Sequence, residues 1–114
     1  MTLAKLTDVN VDAIKQICIQ NCIDIDRDKI AKFVYDNKLY GLFDNDELVV
    51  FTKLDFVTNL LKSGLTAQVY VTTPIYNYKY NDDERSEASF TLYNEIETMC
   101  RQVGYSEINI KRID

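Results

Sequence analysis

The stretch from Leu65 to Ile113 changes hydrophobic period twice, and no other feature of the sequence restricts the fold as much. Leu65 to Thr73 alternates, with Ala67, Val69 and Val71 on one face and Gln68, Tyr70 and Thr72 on the other, so it reads as a half-buried strand. Asn81-Asp82-Asp83-Glu84 then opens a helix that runs to about Val103, with Leu92, Tyr93, Ile96, Met99, Cys100 and Val103 on its core stripe. Gly104 stops that helix, and Tyr105 is placed for the apolar contact that accompanies a glycine cap. Ser106 to Ile113 is a strand again, with Ile108 and Ile110 on its buried face. A helix of this length between two strands is a crossover, so the two strands lie parallel in one sheet with a right-handed connection.

Upstream, Thr2 to Thr7 reads as a short first strand. Asn10 is the expected N-cap of a helix from Val11 to about Cys22, with Val11, Ile14, Ile17, Cys18 and Cys22 on its buried face. A second helix from Asp26 or Arg27 to about Asp36 buries Ile30, Phe33 and Val34. Lys38 to Phe43 and Glu47 to Leu54 flank Asp44-Asn45-Asp46, a hairpin signature. Asp55 to Gly64 admits a strand extension, a short helix around Val57 to Leu61, or a packed loop. Pro74 to Tyr80 is expected to be extended, with Tyr76, Tyr78 and Tyr80 at every second position. The order is β-α-α-β-β-β-α-β: an α/β (α+β) fold with a mixed sheet in three layers, one domain over residues 1–114.

Several function classes drop out on composition. Thirteen Lys and Arg against eighteen Asp and Glu leave a net charge of −5, the wrong sign for tracking phosphate backbones, so nucleic acid is not an expected partner. No apolar run approaches a membrane span and no signal-peptide pattern opens the chain, so no membrane association is expected. Without any His, Ser-His-Asp and Cys-His catalysis and His-containing zinc sites are impossible. Three cysteines, an odd number, suit a reducing cytoplasm. Asp24-x-Asp26-x-Asp28 opens like a calcium loop, but Lys29 and Tyr35 stand where that loop needs Gly and Glu; helix capping accounts for the acids better. Cys18 and Cys22, four apart, have only Cys100 as a third soft ligand, so buried small residues are expected rather than a metal site.

The ordered pieces together resemble the GNAT acyltransferase superfamily. Leu39 to Val49 looks like that family's second and third strands, Val69-Tyr70-Val71 with Pro74 like its fourth strand and Val-x-Pro exit, and Glu95 to Ile108 like its long helix, glycine stop and fifth strand. The resemblance implies a loop of the form Gln/Arg-x-x-Gly-x-Gly/Ala that holds the pyrophosphate of acetyl-CoA through backbone N–H groups at a helix N-terminus. Counting back from Gly104 places that loop around Asp83 to Ser89, where Arg85 stands for the basic residue and Ala88 for the following glycine. No glycine occurs between Gly64 and Gly104, and Asp82, Asp83, Glu84 and Glu87 repel a diphosphate. The family's acceptor half and its catalytic carboxylate are also expected to be missing, since this sequence ends at Asp114, on or just after the fifth strand, and Gln68, Tyr70 and Thr72 offer no general base.

The expectation is therefore a truncated, degenerate, non-catalytic member, without cofactor, that works through a protein partner or a homo-oligomer; its size suits a bacterial or bacteriophage accessory protein. The expected interface is the Tyr76, Tyr78 and Tyr80 row with Asp82, Asp83, Glu84 and Glu87, together with the open edge of the final strand. Two alternatives stand beside it. One is a minimal N-acyltransferase using acetyl-CoA through Arg85 and Ala88; the other is an acidic inhibitor occupying the groove of a nucleic-acid-binding protein.

Overall fold

The computed structural model describes residues 1–61 and 64–113. Strand β1 (Thr2–Lys5) pairs antiparallel with β2 (Leu39–Asp44), which pairs antiparallel with β3 (Glu47–Leu61). The β2–β3 connection is a two-residue turn with Asn45 at φ 49° and Asp46 at φ 69°. Positive φ at both central residues is what a twisted hairpin requires, and Asn and Asp tolerate it. A bulge between Leu42 and Phe43 leaves Val49 as the extra residue of β3. Val49 and Val50 consequently both join the same apolar cluster. Of the three options for 55–64, the strand extension holds through Leu61, while Lys62 and Ser63 lie outside the described residues.

Strand β4 (Gly64–Thr72) continues antiparallel on β3, and β6 (Glu107–Ile113) lies parallel to β4, joined through α3 (Asp82–Gln102). The crossover read from the change of period is present. Gly104, at φ 100°, closes α3: its N–H donates to the Arg101 carbonyl and that of Tyr105 to the Cys100 carbonyl, a paired C-terminal cap. β5 (Ile75–Tyr76) pairs with β3 in line with β4, completing a mixed six-stranded sheet within an α+β fold.

The two remaining helices are α1 (Val11–Gln20) and α2 (Arg27–Tyr35). A 3₁₀ turn over Asp8–Asn10 precedes α1, so the Asn10 side chain accepts from the Thr7 N–H instead of capping α1 as expected. Cys22 is also displaced from its expected place: α1 ends at Gln20, and Cys22 is exposed at φ 57°. Val103, expected on the α3 stripe, is exposed because the glycine cap has already turned the chain. One face of the sheet packs Ala67, Val69 and Val71 against Ala88, Leu92, Ile96 and Cys100 of α3; the other meets α1 and α2 through Leu6, Ile14, Ile17, Ile30 and Phe51.

Candidate functional site

Strand β4 does not run smoothly into β5. Between the pairs Leu54↔Val71 and Phe51↔Ile75, three steps along β3 face four along its partner, so one residue of Thr72-Thr73-Pro74 is extra. Pro74 brings no N–H to the ladder, which favours such an interruption. Its geometry is held from β3: the Thr52 hydroxyl donates to the Thr72 carbonyl at 2.7 Å, and the Lys53 N–H donates to the Thr72 hydroxyl at 3.0 Å. Thr52 is the one buried polar residue among the described residues, and these bonds satisfy it.

A cleft of about 530 Å³ opens beside this interruption, lined by Asn21, Ile23, Lys53, Asp55, Thr73 and Ile113 among others. Asn21 ties its wall together, donating from Nδ2 to the carbonyls of Ile17 (2.8 Å) and Tyr76 (3.0 Å) and thereby fastening the end of α1 to β5. Asp55 projects into the cleft between two cations, with Lys38 Nζ at 3.0 Å and Lys53 Nζ at 3.1 Å. Partial burial pushes the Asp55 carboxyl up, but the hydrogen bonds and charges of Lys38 and Lys53 outweigh it and hold its pKa below the ordinary aspartate value. A carboxylate held ionised in this way is a weak proton acceptor, since a general base works best with a pKa near the operating pH.

The neighbouring start of α3 is closed by its own side chains. Asn81 Oδ1 accepts from the Glu84 N–H at 2.9 Å, and Glu84 Oε1 accepts from the Asn81 N–H at 3.0 Å, a reciprocal capping box. Asp82 and Asp83 add further negative charge to the first turn, compensating the positive end of the helix dipole. The segment leading into this helix is Asn77 to Asn81, without glycine. The cations near the helix start are engaged: Lys79 of this segment pairs with Glu47 at 3.1 Å, while Arg85 of α3 donates from Nε to the Tyr80 carbonyl at 2.8 Å and stacks 5.1 Å from the Tyr78 ring.

This geometry corrects the position assigned to the phosphate loop. Residues 83–89 lie inside α3 rather than in the segment before it, because the capping box starts the helix at Asp82. Ala88 is wholly buried against the sheet, so its side chain faces the core and not a ligand. Arg85 does stand near the helix start, half-buried against Tyr78.

The tyrosine row is corrected as well. Extended structure ends at Tyr76, the chain turns over 78–80, and the three rings do not share one face. The Tyr76 hydroxyl meets the Ser89 hydroxyl, and Tyr76 and Tyr80 both pack against the α3-side cluster. The Tyr80 hydroxyl donates to Glu47 Oε1 at 2.8 Å; desolvation and that carboxylate push its pKa up to about 12. Tyr78 is exposed, as are Asp82, Asp83, Glu84 and Glu87; of these, Glu84 and Glu87 line a surface pocket with Tyr80, Asp44 and Met1. Two of the three tyrosines are thus packing residues.

Asn21, Lys53 and Asp55 line the cleft but carried no signal in the sequence beyond polar residues among apolar ones. Among the described residues no group of three or more His, Cys, Asp or Glu is arranged to hold a metal ion. No helix among them is long and apolar enough to cross a membrane.

No protein-family model and no curated protein matches the sequence. Solved structures do match in shape. A ribosomal-protein-alanine N-acetyltransferase from Brucella melitensis biovar Abortus 2308 superposes with a TM-score of 0.71 at 10% identity, over 98% of this chain and 80% of that one. An acetyltransferase from Vibrio fischeri gives 0.61 at 16% identity, over 98% and 96% of the two chains. A GNAT family acetyltransferase from Staphylococcus aureus subsp. aureus USA300_TCH1516 gives 0.66 at 6% identity, over 99% and 87%. At these identities the likeness concerns architecture alone, and the architecture of this chain is GNAT-like.

Proposed function

We propose that this chain is a GNAT-fold domain that works by binding another protein, or a second copy of itself, rather than by transferring an acyl group from acetyl-CoA. The observation that carries this reading is the start of α3, where Glu84 and Asn81 occupy each other's backbone N–H groups and Asp82 and Asp83 surround them with negative charge. A diphosphate approaching that turn meets carboxylates where it needs free N–H donors. The surface offered to a partner is the exposed Tyr78 with Asp82, Asp83, Glu84 and Glu87, an aromatic anchor rimmed by charge that suits a basic protein surface. Tyr76 and Tyr80 support this surface from behind.

A thermal-shift titration with acetyl-CoA and with CoA tests the reading directly. A ligand binding only the folded chain adds about 2.7 kcal/mol of stability at a hundredfold excess over its dissociation constant. The expected result is no saturable rise at millimolar ligand, and a saturable rise overturns the proposal. That second outcome favours a minimal acyltransferase, a reading supported by the cleft of about 530 Å³ at the interrupted strand Thr72-Thr73-Pro74.

A further inference from the structure

Beneath the cleft lies a second, smaller space, between α1, α2 and the sheet. It measures about 160 Å³ and is walled by Ile14, Cys18, Ile30, Phe33, Leu39 and Phe51. It adjoins the cleft, with which it shares Ile23, Lys53, Thr72 and Ile75. The polar atoms that reach it are already used: the Thr52 hydroxyl donates to the Thr72 carbonyl, and the Thr72 hydroxyl accepts from the Lys53 N–H. Burial pushes the Cys18 thiol up, only partly offset by the charge of Lys15, so that wall stays neutral at physiological pH. An apolar lining of this kind holds water poorly, because a water needs two to four polar partners, and an enclosed cavity of about 150 Å³ lined by aliphatic and aromatic side chains takes up benzene.

The mouth of the chamber is charged. Lys53 Nζ lies 5.7 Å from the centre of the Phe33 ring, on the chamber wall, and 3.1 Å from Asp55. Lys38 holds the other oxygen of the same carboxylate. Two ammonium groups around one carboxylate leave the triad with a net positive charge. Lys15 adds a third cation nearby, its ammonium bound to the carbonyl of Ile25, another wall residue.

We propose that this chamber and its mouth form a binding site for a small carboxylic acid with a compact apolar tail, the tail enclosed between α1, α2 and the sheet and the carboxylate at Lys53. The volume admits one aromatic ring or a branched chain of about six carbons. The tail supplies affinity through the apolar surface it removes from water, and the triad selects an anion over its neutral analogue. The site does not depend on the reading of α3, since its walls come from α1, α2, the segment that joins them, β2, β3, β4 and β5.

Isoleucine methyl NMR of the whole chain, titrated with 4-methylpentanoate, 4-methylpentanamide and acetate, tests this. The expected result is saturable movement of the Ile14, Ile30 and Ile75 methyl signals with 4-methylpentanoate, and none at Ile96, which packs in the α3-side cluster. The amide is expected to bind about tenfold more weakly, and acetate not detectably. Lys53→Met is expected to bind the acid no better than the amide, and Cys18→Met, which fills the chamber, to bind neither. Equal binding of acid and amide by the native chain overturns the proposal, as do unmoved Ile14 and Ile30 signals at millimolar acid. If Cys18→Met does not fold, the three native titrations and Lys53→Met decide the matter.

Discussion

On one face of the sheet a single helix of 21 residues presses Ala88, Leu92, Ile96 and Cys100 onto Val69 and Val71, leaving none of them more than 1% exposed. On the other face two helices of ten and nine residues meet the sheet around a space of about 160 Å³. The difference follows from helix geometry. A long helix with apolar residues at 88, 92, 96 and 100 lays one continuous ridge along the strands. Two short helices must be joined by chain that is not helical, and here the joining segment contributes Ile23 and Ile25, which are only partly buried. Both faces carry buried clusters, but only the incompletely filled one leaves room for a ligand.

Truncations on the two faces sharpen this contrast most. Leu92→Ala is expected to cost about 2–5 kcal/mol, the range for a fully enclosed leucine whose surroundings cannot collapse. Ile14→Ala, beside the existing chamber, is expected to fall at the bottom of that range, about 2 kcal/mol, because the residue already lacks neighbours on one side. Urea unfolding of both variants reads the difference, and an equal loss at the two sites would mean that the second face is as tightly filled as the first.

A smaller effect separates the helix starts. Asn81 caps α3 with its side chain, whereas Asp26, at the same position of α2, makes no side-chain cap bond. Asn81→Ala is expected to lose about 1 kcal/mol, and Asp26→Ala only a few tenths. Melting temperatures of the two variants check this, and a larger loss at Asp26 breaks the assignment.

The least effect expected is electrostatic. Hydrogen bonds from Tyr80 and Lys79 hold the Glu47 carboxyl below its ordinary pKa, and Asp55 is held low by Lys38 and Lys53 against its burial. Groups with depressed folded pKa values contribute stability above their unfolded pKa and lose it as pH falls through the folded value. Melting temperature is therefore expected to drop below the ordinary carboxylate range, and to drop less steeply in Glu47→Gln and Asp55→Asn. Tyr80 has the opposite sign: its contribution is complete below pH 10 and is lost as pH rises through about 12. Ultraviolet titration of the phenols is expected to show this late tyrosine in the native chain, ionising earlier in Glu47→Gln.

The fold was legible where one periodicity ran for several turns or strand steps. Val69 and Val71, Leu92 and Ile96, and the stop at Gly104 lie where alternation, helical spacing and cap chemistry place them. Reading failed where a local choice depended on a distant partner. Tyr76, Tyr78 and Tyr80 alternate perfectly in the sequence, yet Asn77 bonds back to the Leu48 carbonyl and the Lys79 N–H to the Asn77 side chain, which turns the segment and divides the rings. Asn10 is a good cap residue, but the turn that precedes α1 takes its side chain first.

By itself the sequence determined the order of elements, the parallel closing pair and the acidic character of the α3 start, because period, cap residues and charge are properties of neighbouring residues. Only the tertiary structure decided that Lys38 and Lys53 converge on Asp55, and that Asn21 reaches across to β5. It alone decided that a chamber remains under two short helices. Those features join residues far apart in the chain, whose meeting is set by how elements pack and not by what any of them is locally.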